Sequence, residues 1–161
     1  LHSRQAVFVN CWHAGEFESE AMWKLYGGIR SAIAVKTTYS KLDQSLPDRC
    51  HIGLVQYDHF ENLTIPFGDL ARPFMYKRKS FEHEKEVRSL IWDNEFFSSG
   101  PGTYQEKAGI VQEVSLESLI TSVIIAPKAE AWFVNLVAQT TSALGLTVDV
   151  KQSELFNDAL F

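Results

Sequence analysis

Cysteine is scarce in this 161-residue sequence: Cys11 and Cys50 are the only two. A disulfide scaffold is excluded, because small domains of that type need a dense framework of bridges. The cysteine spacing matches no metal-ligand pattern, and neither does that of His2, His13, His51, His59 and His83. Both cysteines read as small apolar side chains beside strand-like runs. Such usage fits a reducing, cytoplasmic setting. No apolar run approaches the roughly 18 residues that span a bilayer. No signal peptide precedes the first strand-like run. Positive charge is short too. The 15 Lys and Arg against 20 Asp and Glu leave a net charge of −5. That balance argues against general nucleic-acid binding, which relies on an excess of cations. Also missing are a phosphate-cradling glycine loop, a dinucleotide fingerprint and a Ser/His/Asp signature. No internal repeat or low-complexity segment is found.

What remains is an ordinary globular composition, 45% apolar and 22% charged, on a chain long enough for a proper core. β-rich runs predict strands over 6–12, 31–38, 51–58, 86–92, 109–114, 121–126 and 146–150. Ser19 caps a predicted helix that ends at Gly27-Gly28. A short helix is expected over 39–46 and another over 116–120, the latter capped by Ser115. The clearest helical period lies over 129–144, where Trp132, Phe133, Leu136, Val137, Thr140 and Leu144 share one face before Gly145. Residues 59–73 and 94–107 read as loops. The four tryptophans read as core. The expected fold class is α+β: a single domain over 1–161, with one mixed, mainly antiparallel sheet of about seven strands packed with three or four helices.

The densest charge lies in residues 77–88. Lys77, Arg78 and Lys79 precede Glu82, Glu84 and Glu86, and Arg88 follows. In a strand the three glutamates would share one face and repel unless cations or a ligand stood between them. In a helix, Glu84 and Arg88 fall at i,i+4 and can pair. Residues 79–85 permit a helix. From Glu86 the alternation of Val87, Ser89 and Ile91 against Arg88, Leu90 and Trp92 suits a strand. Arg88 then shares the side of Leu90 and Trp92 and needs a carboxylate partner, either Glu84 or Glu86.

The runs 8–13, 18–26, 32–35, 55–57, 77–88, 127–132 and 150–155, in that order, resemble the bacterial family known as domain of unknown function 2971. The pair Met22-Trp23 and the block Phe81, Glu84-Lys85-Glu86, Arg88 are the most specific parts. The resemblance implies a shared fold and polar block but no reaction. Members carry a further region ahead of the first strand, whereas this chain begins almost at that strand. If that further region supplies half of a site, the resemblance implies that this chain is inactive or completes the site by oligomerising.

Two readings of the charged block stay open. In the first, the chain binds or acts on a small anionic, nucleotide-like ligand. Glu84, Glu86 and His13 are then the catalytic candidates, with Lys77, Arg78, Arg88 and Tyr26 holding the ligand, Arg as the better bidentate partner. In the second, the chain is a non-catalytic interaction or homo-oligomerisation module, and the block is a structural ion-pair network. A third reading is looser. A Glu-x-Glu leading into a strand is similar to ADP-ribosyltransferases, with His13 after the first strand and Ser31, Thr37 and Thr38 about the second. A metal-dependent nuclease ranks lower, since no Asp sits at a strand position beside Glu84 and Lys85. No cofactor is assigned.

Overall fold

The computed structural model describes residues 6–59, 61, 71–99 and 103–156. The chain divides into two compact units that interleave in sequence: Leu1–Gly15 with Pro47–Gln112, and Glu16–Leu46 with Glu113–Phe161. Helices and strands are mixed, so the fold is α+β.

The first unit is built on one strand. β6 (Glu86–Trp92) pairs antiparallel with β1 (Val7–His13) on one side and with β3 (His51–Leu54) on the other. As a central strand it is covered on both faces: Leu90 is fully buried and Val87, Ser89 and Ile91 nearly so. At its far end Trp92 meets the His51 ring edge-on, with centroids 4.9 Å apart. A second, two-stranded sheet joins β4 (Gln56–Asp58) in parallel to β5 (Tyr76–Arg78). A 3₁₀ turn, Arg72–Met75, leads into β5 and another, Lys79–Glu84, leads out of it toward β6. α1 (Glu20–Met22) belongs to the other unit, and within this one the helix is Asn94–Ser98, capped by Asp93.

The second unit centres on β7 (Ser122–Ile125), antiparallel to β2 (Ile33–Lys36) and parallel to β8 (Asp149–Gln152). Val123, Ile124 and Ile125 are buried in succession, as expected for a strand covered on both faces. Trp23 packs with Ile124 and Ala126 against Ile29, Ala32, Ala34 and Ala129. Ser19 accepts the N–H of Met22 to start α1, and a π-helical turn, Trp23–Gly27, continues it. Gly28, with φ +79°, then ends it in a conformation that a side chain would strain. α2 (Tyr39–Ser45) is capped by Thr38 and α4 (Leu116–Leu119) by Ser115. α5 (Ala131–Ala143) is the longest helix among the described residues.

The expectation of one seven-stranded sheet is corrected. Among the described residues there are three small sheets, of three, three and two strands. The predicted strand over 51–58 shows why. It breaks at Val55, whose N–H donates to the Glu86 carbonyl at 2.9 Å. Residues before the break pair with β6, and those after it leave for β5. Alternation finds strands but does not choose their partners. The predicted strand over 109–114 does not form, and Val111 is 95% exposed. The last strand sits later than expected, at Asp149–Gln152. The predicted loop over 94–107 contains α3 (Asn94–Ser98). The loop expected over 59–73 lies mostly outside the described residues, as does 100–102. Trp132 is 60% exposed and is not core, and Cys11 is exposed rather than buried.

Candidate functional site

Lys85 decides the shape of the charged block. The 3₁₀ turn ends there with φ +43° and ψ +55°, left-handed for a residue that has a side chain. Three carbonyls in a row hold this turn. His13 Nδ1 lies 2.6 Å from the Glu84 carbonyl, which can only accept, so Nδ1 carries the proton. The Ala14 N–H donates to the Lys85 carbonyl, and the Val55 N–H to that of Glu86. The Glu86 N–H itself donates to the Tyr57 hydroxyl at 2.7 Å. Glu84 and Glu86 therefore leave a turn and a strand toward the same cation rather than along one regular element.

That cation is Lys77, on β5. Its Nζ stands 2.5 Å from Glu84 Oε2 and 2.6 Å from Glu86 Oε1. The Phe81 ring centroid lies 4.9 Å away from it. Glu86 turns its other oxygen to Arg88 Nε at 2.6 Å, and Arg88 Nη1 donates to the Phe74 carbonyl. Cross-strand register places Cys11 and Gly53 opposite Arg88. At Gly53 an added Cβ would come within 2.7 Å of the Met75 methyl, the free end of a flexible side chain. Both carboxylates are nearly fully buried, Glu84 at 4% exposure and Glu86 at 6%. Between bare like charges such burial would be strongly unfavourable, and the two cations offset it.

The electrostatics follow. Burial alone would raise the Glu86 carboxyl, but hydrogen bonds from Lys77 and Arg88 outweigh it and hold the group down at about 2. For Lys77, burial pulls downward and the two glutamates more than reverse it. Arg88 is raised in the same way, burial opposing and Glu86 prevailing. Loss of water raises the Tyr57 hydroxyl, against the hydrogen bond from the Glu86 N–H, which lowers it; loss of water also raises the Cys11 thiol, and the Glu86 charge adds to that.

Of the residues singled out from the sequence, Lys77, Glu84, Glu86 and Arg88 form one cluster, and His13 braces its turn through the backbone. Of the two carboxylates open as the Arg88 partner, Glu86 takes the role. Arg78 is exposed on β5. Tyr26 is 66% exposed and belongs to the second unit. Lys79 pairs with Glu82 at the surface. Ser31, Thr37 and Thr38 also lie in the second unit, where Thr37 bonds the Leu119 carbonyl and Thr38 caps α2. Tyr57, Phe74 and Cys11 were not legible as members of the cluster: they lie 29, 14 and 77 positions from Glu86, Arg88 and Arg88 in sequence. Among the described residues no group of three or more His, Cys, Asp or Glu side chains could hold a metal ion.

A left-handed Lys85 is testable. The conformation costs a side-chain-bearing residue about 1–2 kcal/mol, and glycine escapes this at an entropic cost of about 0.5–1 kcal/mol. We expect Lys85→Gly to be neutral or to stabilise by about 1 kcal/mol or less, and Lys85→Val to destabilise. Urea unfolding of the three proteins checks the order; a Val variant as stable as the Gly variant would refute the backbone argument.

The fold and the cluster define a mixed α+β protein with a part-buried cluster of two glutamates, a lysine and an arginine. No protein-family model, curated protein or solved structure matches the chain. Among the described residues no helix is long and apolar enough to cross a membrane.

Proposed function

We propose that this chain is a non-catalytic interaction module whose charged block is a structural ion-pair network. One observation carries the reading: the charges of Lys77, Glu84, Glu86 and Arg88 are committed to one another at 2.5–2.6 Å. An anionic ligand would have to compete with two buried carboxylates for both cations. Such competition is costly, because each displaced carboxylate would be left buried without a partner. The interaction role is supported by apolar side chains at the surface, among them Trp132, Leu136 and Leu144 on and just after α5. The resemblance to domain of unknown function 2971 belongs to the same proposal and rests on Met22-Trp23 and the 81–88 block.

The ligand-binding reading keeps one observation in its favour. The Lys77 side chain is 23% exposed and Arg88 15%, so the quartet has a wet flank. The double change Glu84→Gln with Arg88→Gln separates the two. A structural network predicts a fall of several degrees in Tm. A ligand site predicts a Tm nearly kept, together with loss of a thermal shift that nucleotides, NAD or magnesium give the unaltered protein. A shift with any of these in the unaltered protein, abolished in the variant at constant Tm, would overturn the module reading.

A further inference from the structure

β1 is an outer strand and pairs on one side only, with β6. At seven residues it is the longest outer strand among the described residues; β2, β3 and β8 have four each. Two hydrogen bonds fix the phase of its pairing. The Asp93 N–H donates to the Ala6 carbonyl, and the Ala14 N–H to that of Lys85, both at 2.8 Å. Hydrogen-bonded and non-hydrogen-bonded pairs alternate along an antiparallel ladder, and the register from Val7 to His13 is unbroken. Phe8, Asn10 and Trp12 therefore turn their main-chain groups to β6. Val7, Val9, Cys11 and His13 turn theirs outward, where no main-chain partner meets them among the described residues.

Proteins blunt such edges with charge, proline, a bulge or shortness. β1 carries no Lys, Arg, Asp, Glu or Pro, and its register has no bulge. Its middle is open: Val9 is 41% exposed, and Asn10 and Cys11 are exposed too. Its side chains are also symmetric in kind about Asn10. Val9 and Cys11 are small and apolar, and Phe8 and Trp12 beyond them are aromatic. A strand with that symmetry is complementary to itself when a second copy runs antiparallel across a two-fold axis.

We infer that two copies of this chain pair edge to edge through β1, with the two-fold axis at Asn10. The inference rests on the interaction-module reading and names its partner. In this register Val9 of one copy stands opposite Cys11 of the other and exchanges both main-chain hydrogen bonds with it. Val7 and His13 pair in the same way at the ends. Phe8 faces Trp12, a favourable aromatic cross-strand pair. Asn10 meets its own copy on the axis, in the closer, non-hydrogen-bonded position. A one-residue slip would set outward main-chain groups against groups already given to β6, and a two-residue slip would set Asn10 against an aromatic ring. The two three-stranded sheets become one of six strands, in the order β3-β6-β1-β1-β6-β3.

The test is sedimentation velocity of the full chain. A reversible monomer–dimer equilibrium is expected, with a Kd on the order of 10 µM, as suits an interface below the standard size. Val9→Lys puts a charge at the open middle of the edge and should weaken association at least about tenfold. Ile33→Lys, the same kind of change on β2, should leave it unaltered. A second measurement does not depend on the Val9 variant. Asn10→Cys combined with Cys11→Ser should give a disulfide-linked dimer on mild oxidation, because residues facing one another at that position have Cα atoms about 4.5 Å apart, within disulfide reach. A chain that stays monomeric, a dimer that survives Val9→Lys, or a dimer without the cross-link at position 10 would each overturn the pairing. A dimer lost in Trp132→Ala but kept in Val9→Lys would overturn this edge and leave the module reading standing. That reading falls separately, by a ligand-induced thermal shift that the Glu84→Gln, Arg88→Gln protein loses at constant Tm.

Discussion

Glu86→Gln should be the most destabilising single change in the charged block, lowering stability by about 3 kcal/mol. The carboxylate joins both cations, at 2.6 Å to Lys77 and 2.6 Å to Arg88. Its amide replacement keeps the volume but leaves Arg88 with a carbonyl partner and no counter-charge. Lys77 retains Glu84, and both cations retain some contact with water, so the loss falls at the low end of the 3–5 kcal/mol typical of a broken buried pair. For a chain of this length that corresponds to a Tm lower by on the order of 10 °C. Glu84→Gln should cost less, since Arg88 keeps its partner. Glu82→Gln should cost about 0.5 kcal/mol or less, because the Lys79–Glu82 pair is about half exposed on both sides. Urea unfolding of the three variants checks this ranking. If Glu86→Gln and Glu82→Gln were equal in effect, Glu86 would not be the hub of the network.

The same residue should govern acid stability. In the folded protein the Glu86 carboxyl is held at about 2, below its ordinary value of 4.5. A depressed folded value means the unfolded chain takes up the proton first as pH falls. The stabilisation is therefore fully present above about pH 4.5 and is lost progressively toward pH 2. The stability difference between the unaltered protein and Glu86→Gln should be widest at neutral pH and should narrow by a few kcal/mol across that window. Lys77 is raised above its ordinary value, so its share persists below pH 10.5 and is lost as pH rises through the raised folded value. Denaturant melts at pH 7, 4.5 and 2.5 measure the acid limb. A difference that did not change with pH would show that Glu86 stabilises by shape alone.

How much of this could be read beforehand differs from element to element. β6 was legible because alternation of Val87, Ser89 and Ile91 against Arg88, Leu90 and Trp92 is a local signal. The caps Ser19 and Ser115 were legible for the same reason: a cap hydroxyl bonds an N–H three residues on. α5 was found by its period but not by its exposure. Trp132, Leu136 and Leu144 are exposed, while Val137 and Thr141 are buried. Periodicity identifies an apolar stripe and says nothing of what covers it.

The charged block divides along the same line. That Arg88 would lie on the Leu90 side and need a glutamate followed from sequence, because the pleat has a period of two. Which glutamate it takes did not, because that depends on Lys85 turning left-handed and on Lys77 arriving from another sheet. Lys85 carries no glycine-like signature, and its turn is held by His13, Ala14 and Val55, two of them more than seventy positions earlier.

By itself, then, the sequence determined the α+β class, the positions of most strands and helices, and the place where charge would gather. Tertiary structure alone decided that the strands divide among three small sheets. It also decided that Glu84, Glu86, Lys77 and Arg88 neutralise one another, and that Tyr57 and Phe74 complete the cluster. The physical reason is range. Propensity, capping and alternation act between residues a few positions apart, whereas strand partnership and charge pairing depend on which distant segments meet.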